Sequence, residues 1–172
     1  MSTDNHGAAA SGVKSEAKMK EVLSEAGVPL FKVKTDFEEA EISEWGTRYH
    51  KPPKEWPQTT STGKQRKFVI DGFVPKTGNM KKNIIIEQKN SEKHGTTEEK
   101  VFYDLCKIMR GVYDPKNNDL WYVFTGPAIH EVAVYKEFEI EAKREGLPVK
   151  VIWGMDALMS ELEKVIGGQD DK

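Results

Sequence analysis

Apolar residues recur at helical spacing in residues 11–27, SGVKSEAKMKEVLSEAG, where Met19, Val22, Leu23 and Ala26 share one face before a closing glycine. That is the pattern of an amphipathic helix with a glycine stop. Residues 30–37, LFKVKTDF, alternate instead, as an exposed or edge strand does. In residues 44–63, EWGTRYHKPPKEWPQTTSTG, periodicity gives way to prolines, tryptophans and threonines, and the stretch reads as a long loop or insertion. Its two tryptophans favour a functional loop over a disordered one.

The period of two returns in KFVIDGFVP (67–75) and NIIIEQK (83–89), and the turn-like KTGNMKK between them makes the pair a hairpin. HGTTEEKVFYDLCKIMRG (94–111) opens a helix, with Thr96 and Glu99 spaced as a capping box and Val101, Leu105, Ile108 and Met109 as its buried stripe. A strand DLWYVFTG, a helix over 129–145, a strand VKVIW and a last helix carrying Met155, Leu158, Met159, Leu162, Val165 and Ile166 complete the chain. This order predicts an α/β fold, a mixed central sheet flanked by helices on both faces, with the apolar run NIII at its buried centre. Residues 1–10 and 167–172 read as flexible tails around a single domain, 11–166.

The strand NIIIEQK ends in charge, and its geometry says where that charge goes. Alternation places Ile85, Glu87 and Lys89 on one face and Ile84, Ile86 and Gln88 on the other, and in the neighbouring strand it groups Val69, Asp71 and Phe73. A hairpin register that sets Asp71 beside Glu87 brings two carboxylates and an ammonium together at the edge of an apolar sheet. Two close carboxylates repel unless one holds a proton or a cation lies between them. Magnesium suits such a site, with Asp71, Glu87 and the backbone carbonyl of Gln88 as its protein ligands. Lys89 then sits where a metal-activated water attacks phosphorus, to position that water or to stabilise charge developing on the phosphate. An acidic residue two positions before a lysine occurs six times in the chain, but only Glu87 with Lys89 ends an apolar strand whose hairpin partner carries its own aspartate. The competing reading is a structural salt bridge at a strand end.

Composition narrows the classes. A chain of 172 residues, 37% apolar and 31% charged, is that of an ordinary soluble domain. The single Cys106 excludes a disulfide within the chain and a cysteine-cluster zinc site, and beside the apolar stripe of its helix it reads as a small core or boundary residue. His6, His50, His94 and His130 lack the spacing of a zinc site. There is no phosphate-binding glycine loop, so no nucleotide cofactor is expected. Neither a membrane-length apolar stretch nor a signal-peptide pattern is present, which predicts a cytoplasmic protein with no membrane partner.

The net charge of −2 hides a segregation. From Trp45 to Arg110 fourteen basic residues face seven acidic ones, +7, and the remainder of the chain is at −9. A basic middle suggests one face for a polyanion. Lys64, Arg66 and Lys67 precede the Asp71 strand, and Lys93, His94, Lys100 and Lys107 follow the Glu87 strand, where phosphate contacts would surround the site. Arg48, Lys51, Lys54, Gln65 and Arg66 carry the donors that read base edges. DNA is the partner this predicts.

Asp71 in VIDGF, followed by IIIEQK, resembles the PD-(D/E)XK nuclease superfamily, and HGTTEEKVFYDL directly after that strand is similar to stretches in its restriction endonucleases. The likeness covers about residues 11–125. Ile70 stands where the motif's name has proline, and Asn90 follows the lysine. The resemblance implies a restriction-endonuclease-like core, α-β-β-β-α-β plus C-terminal helices. Asp71 and Glu87 would be its metal ligands and Lys89 its catalytic lysine, with magnesium as cofactor and manganese able to substitute. Many members add an acidic residue from the first helix, and Glu16, three residues before Met19 on the packed face, is the candidate here. The expected activity is that of a type II restriction-like enzyme cutting double-stranded DNA, as a homodimer matched to a palindromic site. A homing endonuclease or junction resolvase on the same core, or a noncatalytic DNA-binding module, are the alternatives.

Overall fold

The computed structural model describes residues 6–28, 48–50, 57–64, 68–78, 80–90, 97–127 and 133–167. Four helices, α1 (His6–Glu25), α2 (Thr97–Met109), α3 (Ala133–Arg144) and α4 (Met155–Ile166), accompany six strands: β1 (Arg48–His50), β2 (Phe68–Ile70), β3 (Gly72–Val74), β4 (Asn83–Asn90), β5 (Asn118–Thr125) and β6 (Val149–Trp153). Strands β3-β4-β5-β6 form one open sheet, antiparallel between β3 and β4 and parallel beyond, while β1 and β2 pair separately and antiparallel. The fold is thus mixed α/β, as its alternating strand and helix patterns predict. Among the described residues no helix is long and apolar enough to cross a membrane.

Strand β4 is central, and its alternation divides the core. Ile84 and Ile86 join Val74, Trp121, Val123 and Ile152 under α1 (Met19, Val22, Leu23) and α4 (Leu158, Leu162). Ile85 joins Leu120, Tyr122 and Phe124 under α2 (Val101, Leu105, Ile108) and α3 (Tyr135, Phe138). Both faces being covered explains why the strand is apolar on consecutive positions rather than on every second one. The aromatic part is dense: Tyr122 stacks on Phe138 at 4.4 Å between centroids, and Phe124 on Tyr135 at 4.5 Å.

Several elements depart from expectation. The segment 67–75 is two strands, broken at Asp71. Part of the expected loop, Arg48–His50, is a strand paired with Phe68–Ile70, because β2 leaves β4 after the break and needs another partner for its backbone. Helix α1 begins at His6, inside the stretch expected as a tail. On α2 the buried stripe is Val101, Leu105 and Ile108; Met109 faces out, and Cys106 is exposed rather than at the core. The expected strand over 30–37, Thr96 of the capping box, and residues 129–132 of the third helix lie outside the described residues.

Each core cluster is testable by truncation. Ile86→Ala and Phe138→Ala, one on each side of the sheet and both fully buried, should each lower the unfolding free energy by about 2–5 kcal/mol in urea titrations. A loss under about 1 kcal/mol at Phe138 would contradict the packing of α2 and α3 on β5.

Candidate functional site

The site forms where the hairpin opens. Antiparallel pairing of β3 with β4 runs Val74 to Ile84, Phe73 to Ile85 and Gly72 to Ile86, so Asp71 arrives next, beside Glu87. A side chain at Gly72 would meet Ile86 Cβ at 3.1 Å, so the glycine lets the two backbones close immediately before the break. The Asp71 N–H still donates to the Ile86 carbonyl at 3.1 Å. After it the chain turns away to β2, and the next N–H of β4, on Gln88, is left without a backbone acceptor from that strand. Asp71 Oδ2 takes it instead, at 2.7 Å. The carboxylate thus caps the splayed end of the pair.

Glu87 faces the α2 side and is buried. Tyr113 donates its hydroxyl to Glu87 Oε1 at 3.1 Å. That tyrosine is delivered by the end of α2: Gly111, at φ 66°, donates to the Ile108 carbonyl, and Val112 donates to that of Lys107. This is a Schellman stop, which reverses the chain and returns Val112 and Tyr113 to the core.

Lys89 lies on the same face, with Nζ 3.8 Å from Glu87 Oε2 and 3.0 Å from Asp104 Oδ2. Asp104, buried on α2, also receives Lys107 Nζ at 2.5 Å and the Tyr122 hydroxyl at 2.6 Å. The two ammonium groups rest over aromatic rings, Lys89 at 5.5 Å from the Tyr122 centroid and Lys107 at 5.4 Å from that of Tyr113, which favours a desolvated cation. On the opposite face Gln88 Nε2 donates to Thr125 Oγ1 at 2.9 Å, tying the end of β4 to β5.

The electrostatics follow from this packing. Burial first, and then the Asp71 charge, push the Glu87 carboxyl up to about 8, with Lys89 and Lys107 offsetting only part of the rise. Burial alone would lower the Lys89 ammonium, but Glu87, Asp104 and Asp71 outweigh it and raise it. Burial alone would raise Asp104, and Lys89 and Lys107 with the hydrogen bonds hold it below its ordinary value. Burial, reinforced by the neighbouring carboxylates, pushes the Tyr113 and Tyr122 phenols well above theirs, so both remain donors.

A protonated Glu87 next to Asp71 is the arrangement in which a divalent cation can take the place of the proton. Among the described residues no group of three or more His, Cys, Asp or Glu side chains is placed to hold a metal. Two carboxylates and a backbone oxygen would form a hard donor set, of the kind magnesium takes when water and substrate oxygens complete its shell.

Of the other expected residues, Arg48 is on β1 opposite Ile70, one position before Asp71. Lys64 is exposed in a turn where its backbone N–H donates to Thr60 Oγ1, and Lys100 is exposed on α2. Glu16 is on α1, which packs on the Ile84 and Ile86 face, and its side chain lies outside the described residues, as do Lys51, Lys54, Gln65, Arg66 and Lys93. Sequence reasoning singles out none of Asp104, Tyr113 and Tyr122, and Lys107, expected as a phosphate contact, is buried against Asp104. A signal existed: Asp104 is three residues after Val101 and four before Ile108, on the buried stripe itself.

No protein-family model, curated protein or solved structure matches the chain.

The Glu87 shift carries a sign that can be measured. Between about 4.5, the ordinary carboxyl value, and about 8, the folded protein holds a proton that the unfolded chain has lost. The stability this group contributes is full below the lower value and is lost as pH rises through the upper one. In EDTA, Glu87→Gln should therefore gain stability relative to the parent as pH goes from 5 to 8, by up to about 1.4 kcal/mol per pH unit. Parallel pH profiles in urea unfolding would contradict the buried, proton-holding Glu87.

Proposed function

We propose that the protein is a magnesium-dependent DNA endonuclease of the PD-(D/E)XK type, hydrolysing phosphodiester bonds at Asp71, Glu87 and Lys89. The observation that carries this reading is the meeting of Asp71 and Glu87 at the opened hairpin, with Lys89 on the same face. Asp71, Glu87 and the Gln88 carbonyl would hold the metal, which when bound lowers the pKa of a water and polarises the phosphoryl oxygen.

The chain's own groups have separate tasks. Asp71, anchored by the Gln88 N–H, offers a carboxylate fixed by the backbone rather than by a rotamer. Tyr113 orients Glu87 through Oε1. Asp104 and the Tyr122 ring hold Lys89 as an extended cation, which supplies positive charge where charge develops on the phosphate. Arg48, Lys64 and Lys100 would contact the DNA backbone around this centre. One active centre per chain makes cutting both strands of a duplex a task for two copies.

One observation favours a second reading. Lys89 is closer to Asp104 than to Glu87, as in a self-contained buried ion network, and a noncatalytic DNA-binding module would keep such a network for structure alone.

Cleavage decides between them. Plasmid and phage genomic DNA, incubated with magnesium or with EDTA, should yield discrete fragments only with magnesium. Asp71→Asn and Lys89→Met, each checked for retained fold by circular dichroism, should lower the rate by about 100-fold or more. Discrete fragments would establish a sequence-specific enzyme. Cleavage confined to branched DNA would favour a junction-resolving role. Binding to DNA with no cleavage of either substrate would contradict the nuclease reading.

A further inference from the structure

Asp104 is paired twice over. Its Oδ1 receives Lys107 Nζ at 2.5 Å, while its Oδ2 receives Lys89 Nζ at 3.0 Å and the Tyr122 hydroxyl at 2.6 Å. One buried carboxylate thus carries two ammonium groups, one more than its charge calls for, and the two are placed differently. Lys107 is buried between two rings, with Nζ 5.6 Å from the Tyr103 centroid and 5.4 Å from that of Tyr113. Lys89 is half-buried near the end of β4, on the face of Glu87, with the Tyr122 ring beneath it.

While Lys89 is bonded to Asp104, its charge is compensated by that carboxylate, and it acts on a phosphate only as far as the bond loosens. A buried carboxylate that loses its cation is strongly destabilised. Lys107 removes that obstacle. If Lys89 moves away, Oδ1 keeps Lys107 and Oδ2 keeps the Tyr122 hydroxyl, so neither the charge nor either oxygen of Asp104 is left without a partner. We propose that Lys107 is a positioning residue for phosphodiester cleavage, the standing counter-ion of Asp104 that lets Lys89 leave this carboxylate for the substrate phosphate. This role rests on the nuclease reading above. It differs from a phosphate contact, because Lys107 acts through Asp104 and Lys89 and does not touch the DNA.

In the Lys107→Met variant, methionine fills the slot between the rings without the charge, and Asp104 is left to hold Lys89 alone. Steady-state cleavage should then show kcat lowered about 10- to 100-fold with KM for DNA unchanged. Adding Asp104→Asn should restore most of the loss, since the amide no longer holds Lys89 by charge and the Tyr122 ring still guides it. A second readout needs neither metal nor DNA. In EDTA, Lys89→Met should lower the urea midpoint only slightly in the parent and markedly more in the Lys107→Met background, where Asp104 would lose its last cation. A cutting parent whose Lys107→Met variant keeps its kcat, or raises KM instead, would overturn this role and leave the nuclease reading standing. So would a loss that Asp104→Asn does not restore, or equal losses of stability in the two backgrounds. A parent that cuts no DNA would overturn the nuclease reading and this role with it.

Discussion

Glu87 cannot be removed from the core without removing the strand that carries it. Side chains on β4 alternate with a period of two, so the register that buries Ile85 on the α2 face buries Glu87 on the same face. A lone carboxylate there would be costly, and the surroundings are arranged to meet that cost. Tyr113 reaches it from the end of α2, Lys89 follows it along the strand, and Asp104 with Lys107 comes down from the helix above. The Schellman stop at Gly111, the splayed hairpin at Asp71 and the polar positions in the stripe of α2 all surround this one buried carboxyl.

The resulting cluster is balanced in one protonation state only. With a proton on Glu87, the charges of Asp71 and Asp104 stand against Lys89 and Lys107. Ionising Glu87 would leave an uncompensated negative charge inside the protein, and its raised pKa expresses that resistance. A divalent cation replacing the proton would reverse the sign and leave one positive charge in excess at the opened sheet edge. That is a suitable state for receiving a phosphodiester anion. A purely structural network has no need of an unbalanced member, since a satisfied ion pair of Asp104 with its two lysines would suffice.

Much of this was legible in the chain because it depends on local period. The helices, the central apolar strand and the grouping of Glu87 with Lys89 follow from spacings of 3.6 and 2, and Asp71 follows from the same alternation in the neighbouring strand. What escaped depends on contacts distant in sequence or on backbone breaks. Nothing in KFVIDGFVP marks Asp71 as the point where one strand becomes two, because the break is set by which partner each half finds, β1 or β4. Asp104 looks like a polar lapse in an amphipathic stripe until β4 and β5 place Lys89 and Tyr122 beneath it. Met109 adjoins Ile108 in sequence, and a helix phase one residue off places it in the core although it faces out.

The paired carboxylates at the hairpin break are tested most directly by titrating magnesium into the protein by calorimetry at pH 7, in buffers of different ionisation enthalpy. If a cation takes the place of the Glu87 proton, binding should release close to one proton per metal ion, and both binding and release should be lost in Glu87→Gln. Magnesium that does not bind, or binds with no proton released and equally well to the variant, would contradict a metal site at Asp71 and Glu87.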